Sequence, residues 1–215
     1  RSSAASDVYK RQQSYPAENR PLASNFSLES LGLTRALEKP FAFISSDDNS
    51  ASRLMNISKE FKLNPWILGS GYEYRELNQF NQLKPFFIMP IDFPSKPSVT
   101  KYMSDLQYST AELKHWDVAP DNLSYLNRAG HDFSITSHRL SKKSEFRKNL
   151  EKIIARGLSK DIVLAALTTQ PAEALGLEKS MGRVAKGYDA NLVIVDGDYF
   201  LSLIHISEPT RRRGI

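Results

Sequence analysis

The feature that most constrains this chain is a repeated switch in hydrophobic period. Short apolar runs alternate with stretches whose apolar side chains recur every three or four residues. The runs are FAFIS (41–45), WILGSG (66–71), FFIMP (86–90) and DFSIT (132–136). Each reads as a strand buried on both faces, because a half-solvated strand would alternate apolar and polar residues. The stretches between them read as helices.

SLESLGLTRALEK (27–39) is closed by Pro40. Asp47, Asp48 and Asn49 offer a cap to a helix with Leu54, Ile57, Phe61 and Leu63 on one face. A third helix is predicted from Glu73 to Leu83. Residues 100–128 are expected to hold a helix near 108–115, a loop at WDVAPDN and a helical turn to Arg128. SKKSEFRKNLEKIIARG (141–157) places Phe146, Leu150, Ile153 and Ile154 at helical spacing, with Gly157 as the stop. Ser159 caps a further helix, and Gln170-Pro171 opens a short one that Gly176 ends.

Strands that alternate with helices form parallel sheets through right-handed crossovers, so the class is α/β. Four βα units are visible, whereas a closed eight-stranded barrel takes about 250 residues. The expected architecture is therefore half of a (β/α)8 TIM barrel over residues 13–176. After Gly176 the pattern changes. GRVAKGYDANLVIVDGD (182–198) predicts a β-hairpin with Lys186-Gly187 at the turn and NLVIVD as a strand. Residues 177–200 are thus expected to be a separate β layer.

Composition excludes several classes. The chain has no cysteine, which removes disulfides and thiolate sites. No apolar run approaches the roughly 20 residues of a membrane helix. The net charge of +5 would suggest a nucleic-acid partner, but it is concentrated at the two ends. Residues 2–12 (SSAASDVYKRQ) and 201–211 (LSLIHISEPTR) resemble in-frame translations of transposon-based sequencing adapters. Residues 1–12 and 201–215 are accordingly expected to be scars foreign to the fold. Each carries a net +2, so residues 13–200 retain only +1. Neither a nucleic-acid nor a membrane partner is expected.

The stretch ALTTQPAEALGLEKSMGRVAKGYDANLVIVDGD resembles the end of the amidohydrolase superfamily. The resemblance rests on Thr168 or Thr169, Pro171, Ala172, Leu175, Gly176, Gly182, Gly187, Ala190, Leu192, Val193 and Asp196, with Asn191 in place of the usual Asp. Upstream, GSGYEYREL, Phe93-Pro94, ELKHWDVAPDN and ITSHRLSKKSEFRKNLEKII resemble an imidazolonepropionase-like subgroup. The resemblance implies a hydrolase acting on carbon–nitrogen bonds of a small amide or cyclic amide, with zinc or another divalent metal. It also implies that the half barrel is the C-terminal one and that residues 177–200 return to a small β-sandwich flanking it. An alternative is a catalytically silent barrel with a structural or substrate-presenting role. Compartment (cytoplasmic or periplasmic) and oligomeric state are not fixed by these residues.

In such barrels the site lies at the C-terminal ends of the strands. The resemblance aligns FAFIS, WILGSG and DFSIT with the fifth, sixth and eighth strands. The fifth and sixth would each supply a His, and the eighth an Asp that takes a proton from metal-bound water. Here the ends read Ser45-Ser46, Gly69-Ser70-Gly71 and Thr136-Ser137-His138. His138 is the candidate metal ligand and acid–base group, and Asp48 the candidate catalytic carboxylate, beside Asp47. Other readings are a packing or stacking role for His115 in a loop, an anion cradle or tight turn at Gly69-Ser70-Gly71, and a solvated face at Arg139, Lys142 and Lys143. His131 precedes its strand, at the end away from catalysis.

Overall fold

A computed structural model describes residues 26–45, 48–97 and 108–200, less a few side chains in the first two helices. The chain divides into two compact units, Arg1–Lys39 and Pro40–Ile215. In the first, α1 (Phe26–Ala36) confirms the predicted helix in a slightly shorter form.

The second unit opens with β1 (Phe41–Ile44), α2 (Asp48–Phe61) and β2 (Pro65–Leu68). A 3₁₀ turn (Glu73–Arg75), α3 (Leu77–Phe80) and β3 (Phe86–Pro90) follow. Next come α4 (Thr110–Val118), a second 3₁₀ turn (Ala119–Asp121), α5 (Asn122–Arg128) and β4 (Phe133–Thr136). The unit continues through α6 (Glu145–Ala155), α7 (Lys160–Leu167) and α8 (Thr169–Ala174). All four expected strands form. They build one sheet in the order β1-β2-β3-β4, every neighbouring pair parallel. Sequential parallel order is what repeated right-handed βα units produce.

The register sorts the strand residues into rows. Ile67, Phe87 and Phe133 align, and all are fully buried. They form the core with Phe80, Leu126, Leu150, Ile153, Val163 and Ala166, which the helices bring to that face. The alternate residues form two further rows, Ala42–Trp66–Phe86 and Ile44–Leu68–Ile88–Ser134. The Trp66 and Phe86 rings lie 5.4 Å apart. Such stacked rows are how the inward face of a (β/α)8 barrel is layered. Here the described sheet is open, and Ile44 at its edge is 75% exposed.

Three expectations change. The helix predicted from Glu73 to Leu83 is broken into a 3₁₀ turn and a single helical turn. Glu73 leaves the helical pattern because its side chain folds back onto the preceding loop. The loop expected at WDVAPDN is helical instead, since α4 runs to Val118 and a 3₁₀ turn joins it to α5. Pro120 fits there because the first turn of a helix does not need its N–H.

The third change is the hairpin. Lys186-Gly187 does form a turn, with Gly187 at φ +89 and the Tyr188 N–H donating to the Ala185 carbonyl at 3.2 Å. NLVIVD is nevertheless not a strand. Val193 and Ile194 are 74% and 80% exposed, and among the described residues no strand lies beside them. A strand exists only where a neighbour completes its ladder, whatever its own propensity. No flanking β-sandwich is formed by the described residues. The chain beyond it is anchored by Phe200, which is buried in the core, and by a Lys160–Asp198 ion pair at 2.5 Å. Among the described residues no helix is long and apolar enough to cross a membrane. The two segments read as adapter-derived lie outside the described residues.

Candidate functional site

Because all four strands are parallel, their C-terminal ends open onto one side of the sheet. The exits of β2 and β3 and the start of α5 enclose a small cleft. Ser70, Gly71, Asp92, Phe93, His115 and Asn122 contribute to its lining. Its free volume is about 20 Å³. That is room for about one water molecule, so a substrate would need further walls or an opening of this one.

The β2 exit is shaped by Glu73, whose side chain is almost fully buried. Its carboxylate accepts from the backbone N–H of Ser70 at 2.5 Å, from the Ser70 hydroxyl at 3.0 Å and from the Gly71 N–H at 3.1 Å. It also accepts from Asn122 Nδ2 at 2.7 Å, across 49 residues of chain. Asn122 Oδ1 in turn accepts from the Tyr74 N–H at 2.8 Å. A buried carboxylate is tolerated only when its lone pairs are filled in this way. The Gly69-Ser70-Gly71 turn therefore does cradle an anion, but the anion is the chain's own Glu73. Gly71 takes a φ of +96, open to glycine and costly for other residues.

His115 stands at the mouth. It lies on α4, not in a loop as expected, and its ring stacks on Tyr72 with centroids 3.7 Å apart. On Tyr72 also lies the Arg75 guanidinium, 4.5 Å from the ring centre. His115 Nδ1 is 3.3 Å from the Tyr74 hydroxyl. Burial, and then the Arg75 charge, hold the His115 imidazole below the usual histidine range. It is thus neutral at neutral pH, with a ring nitrogen able to accept a proton.

The β4 exit carries an ion pair to the β3 exit. Arg139 Nε is 3.0 Å from Asp92 Oδ2, and the Arg139 Nη2 group donates to the carbonyls of Gly69 and Ser70 at 3.2 and 3.3 Å. Arg139 is exposed, as the solvated-face reading expects, and its left-handed backbone, at φ +67, also turns it across the strand exits. Lys142 and Lys143 are exposed, as that reading held.

The other candidates are placed as follows. His138 does sit just beyond the end of β4, exposed, with its backbone N–H donating to Thr136 Oγ1 at 3.2 Å. Asp48 opens α2 just after the β1 exit, but its side chain is outside the described set, as is the whole of Asp47. His131 is at the opposite end of β4, 3% exposed, and far from this face as expected. Sequence reasoning missed Glu73, Asp92 and Asn122. Only Glu73 carried a signal, since Ser70-x-x-Glu73 has capping-box spacing.

This donor set does not fit the divalent metal that the resemblance implies. Among the described residues no three His, Cys, Asp or Glu side chains converge to hold an ion. Glu73 is saturated by its donors, Asp92 is paired to Arg139, and His115 is held between Tyr72 and Tyr74. Among the described residues His138 could add one imidazole, and the β2 exit presents serine, a weak ligand.

Comparison with known proteins agrees with the fold. The pattern of the amidohydrolase family matches residues 129–212. A crystal structure of an amidohydrolase from Thermotoga maritima MSB8 superposes with a TM-score of 0.65 and 18% identity, over 93% of this chain and 49% of that one. A second amidohydrolase crystal structure gives 0.55 and 13%, over 79% of this chain and 40% of its own. The chain thus spans about half, or less, of the structures it resembles. No curated protein matches it in sequence.

Proposed function

We propose that this chain is the C-terminal half of an amidohydrolase-type barrel whose whole protein hydrolyses a carbon–nitrogen bond in a small amide or cyclic amide. The observation that carries the reading is the open, sequentially ordered parallel sheet, which superposes on about half of an amidohydrolase. The family match over 129–212 supports it independently, because it covers β4 and the helices that follow. The imidazolonepropionase-like motifs, GSGYEYREL above all, narrow the reading to that subgroup: they build the Glu73 loop at the cleft.

In this reading the half described here supplies walls and hydrogen-bonding groups to the substrate, and neutral His115 at the mouth is its proton acceptor. Any catalytic metal would be held by residues outside the described set, with His138 able to add one imidazole. The poor donor set at the β1, β2 and β4 exits favours one second reading, a silent barrel with a structural or substrate-presenting role.

The test is to read the gene on both sides of residues 13–200, express the whole protein with zinc, and assay a panel of small amides and cyclic amides. Turnover that falls on His115→Ala, with metal retained, supports the first reading. A folded, metal-free protein with no turnover on the panel supports the second.

A further inference from the structure

We propose that Arg139 supplies the fixed cation of this strand-end face: its guanidinium, not a metal ion, ties the exits of β2, β3 and β4 together and locks the loop that carries Glu73, Tyr72 and Tyr74 to the cleft. The inference goes beyond the functional reading above and stands on the geometry whether or not the whole protein is a hydrolase.

Three strand exits meet at one side chain. Arg139 itself follows β4. Its Nε contacts Asp92, just past β3, at 3.0 Å, and Nη2 reaches the other Asp92 oxygen at 3.3 Å. The same Nη2 donates to the carbonyls of Gly69 and Ser70, just past β2, at 3.2 and 3.3 Å. A carboxylate and two backbone carbonyls are the oxygen ligands typical of a hard cation. Here the planar fork of a guanidinium meets them, and its donors match that geometry where an ammonium would not.

The same short loop is held from its other side by the opposite charge. Its N–H groups at Ser70 and Gly71 point to the Glu73 carboxylate, while its carbonyls at Gly69 and Ser70 point to Arg139. The turn is thus clamped between an anion on its donors and a cation on its acceptors. The backbone at Arg139 is left-handed at φ +67, a conformation that a non-glycine residue keeps when its surroundings fix it. The Arg139 and Asp92 side chains are about one-third exposed, which leaves the clamp reachable by small ions from solvent.

The experiment is hydrogen exchange on the full chain and on Arg139→Ala, with zinc content measured in parallel. Removing the guanidinium should speed exchange of the amides of residues 70–74 by about tenfold, while the β2–β3 ladder keeps its protection. Millimolar guanidinium ion should restore much of that protection, and sodium chloride of equal ionic strength should not. A merely structural packing loss would not respond to guanidinium. Should Arg139→Ala fail to fold, Asp92→Asn keeps the side-chain volume, and the same loop should loosen. Unchanged exchange in residues 70–74 of either variant, or loosening in Arg139→Ala that guanidinium fails to reverse, would overturn the proposal. So would about one equivalent of zinc in the unaltered chain that is lost on His138→Ala.

Discussion

His131 sits at the N-terminal end of β4 with 3% exposure, and neither ring nitrogen has a hydrogen-bond partner. Its ring meets those of Phe80 and Phe87 edge-on, with centroids 6.1 and 5.5 Å away. Burial, and then the nearby Lys84 charge, depress its pKa below the usual histidine value, with Asp132 opposing them weakly. A base whose folded pKa is depressed stays neutral in the folded chain while the unfolded chain takes up a proton. Stability is therefore full above the unfolded pKa of about 6.5 and is lost as pH falls through it. One proton bound only by the unfolded state weakens the fold by at most about 1.4 kcal/mol at pH 5.5 relative to neutral pH. His131→Phe removes the titration and also the buried N–H without a partner, whose desolvation costs about 1–3 kcal/mol. Urea unfolding followed by Trp66 and Trp116 fluorescence at pH 7.5 and pH 5.5 measures both effects. The variant should be more stable by about 1 kcal/mol at the higher pH, and its advantage should grow by up to about 1.4 kcal/mol at the lower. An advantage that stays constant with pH would refute the reasoning, because it would mean that His131 is protonated equally in both states. A variant less stable at both pH values would show that the imidazole nitrogens do have partners.

Other perturbations test the loop and the C-terminal segment. Glu73→Gln keeps one accepting oxygen but turns the other into an NH₂, which must face either the Ser70 N–H or the Gly71 N–H and Asn122 Nδ2, so it should destabilise by about 1–3 kcal/mol in the same urea assay. A loss under about 0.5 kcal/mol would show that the carboxylate is not needed as acceptor. Gly182→Ala places a Cβ 2.9 Å from the Thr168 carbonyl oxygen and from Ala172 Cβ, at a φ of +85. It should cost about 1–3 kcal/mol and speed proteolysis within residues 177–200, with the sheet core protected. Cleavage at the unaltered rate would mean that this close approach is not kept in solution.

The scaffold was legible because its signals are local. Four apolar runs of strand length, separated by helical periodicity, are enough to predict parallel βα units, and all four runs became strands. Ser159 has the sequence position of a cap, and its hydroxyl accepts from the Ile162 N–H; Gly157 has that of a stop, and it takes a φ of +101. These features depend on residues within a turn or two of each other. NLVIVD shows the limit of the same logic: its propensity is a property of the segment, but its ladder depends on a neighbour elsewhere in the chain.

The strand-end chemistry was decided by tertiary contact. Arg139 and Asp92 are 47 residues apart, Glu73 and Asn122 are 49, and Tyr74 and His115 are 41. Each of these residues is unremarkable in its own stretch, where a charge suits a solvated surface as readily as a site. Parallel order brings the exits of β2, β3 and β4 side by side, and burial makes the Glu73 carboxylate too costly to leave unpaired. So the sequence by itself settled the four buried strands and their parallel order, but not the strand it predicted at NLVIVD. Only the assembled sheet decided which polar groups meet, because charge pairing follows neighbourhood in space.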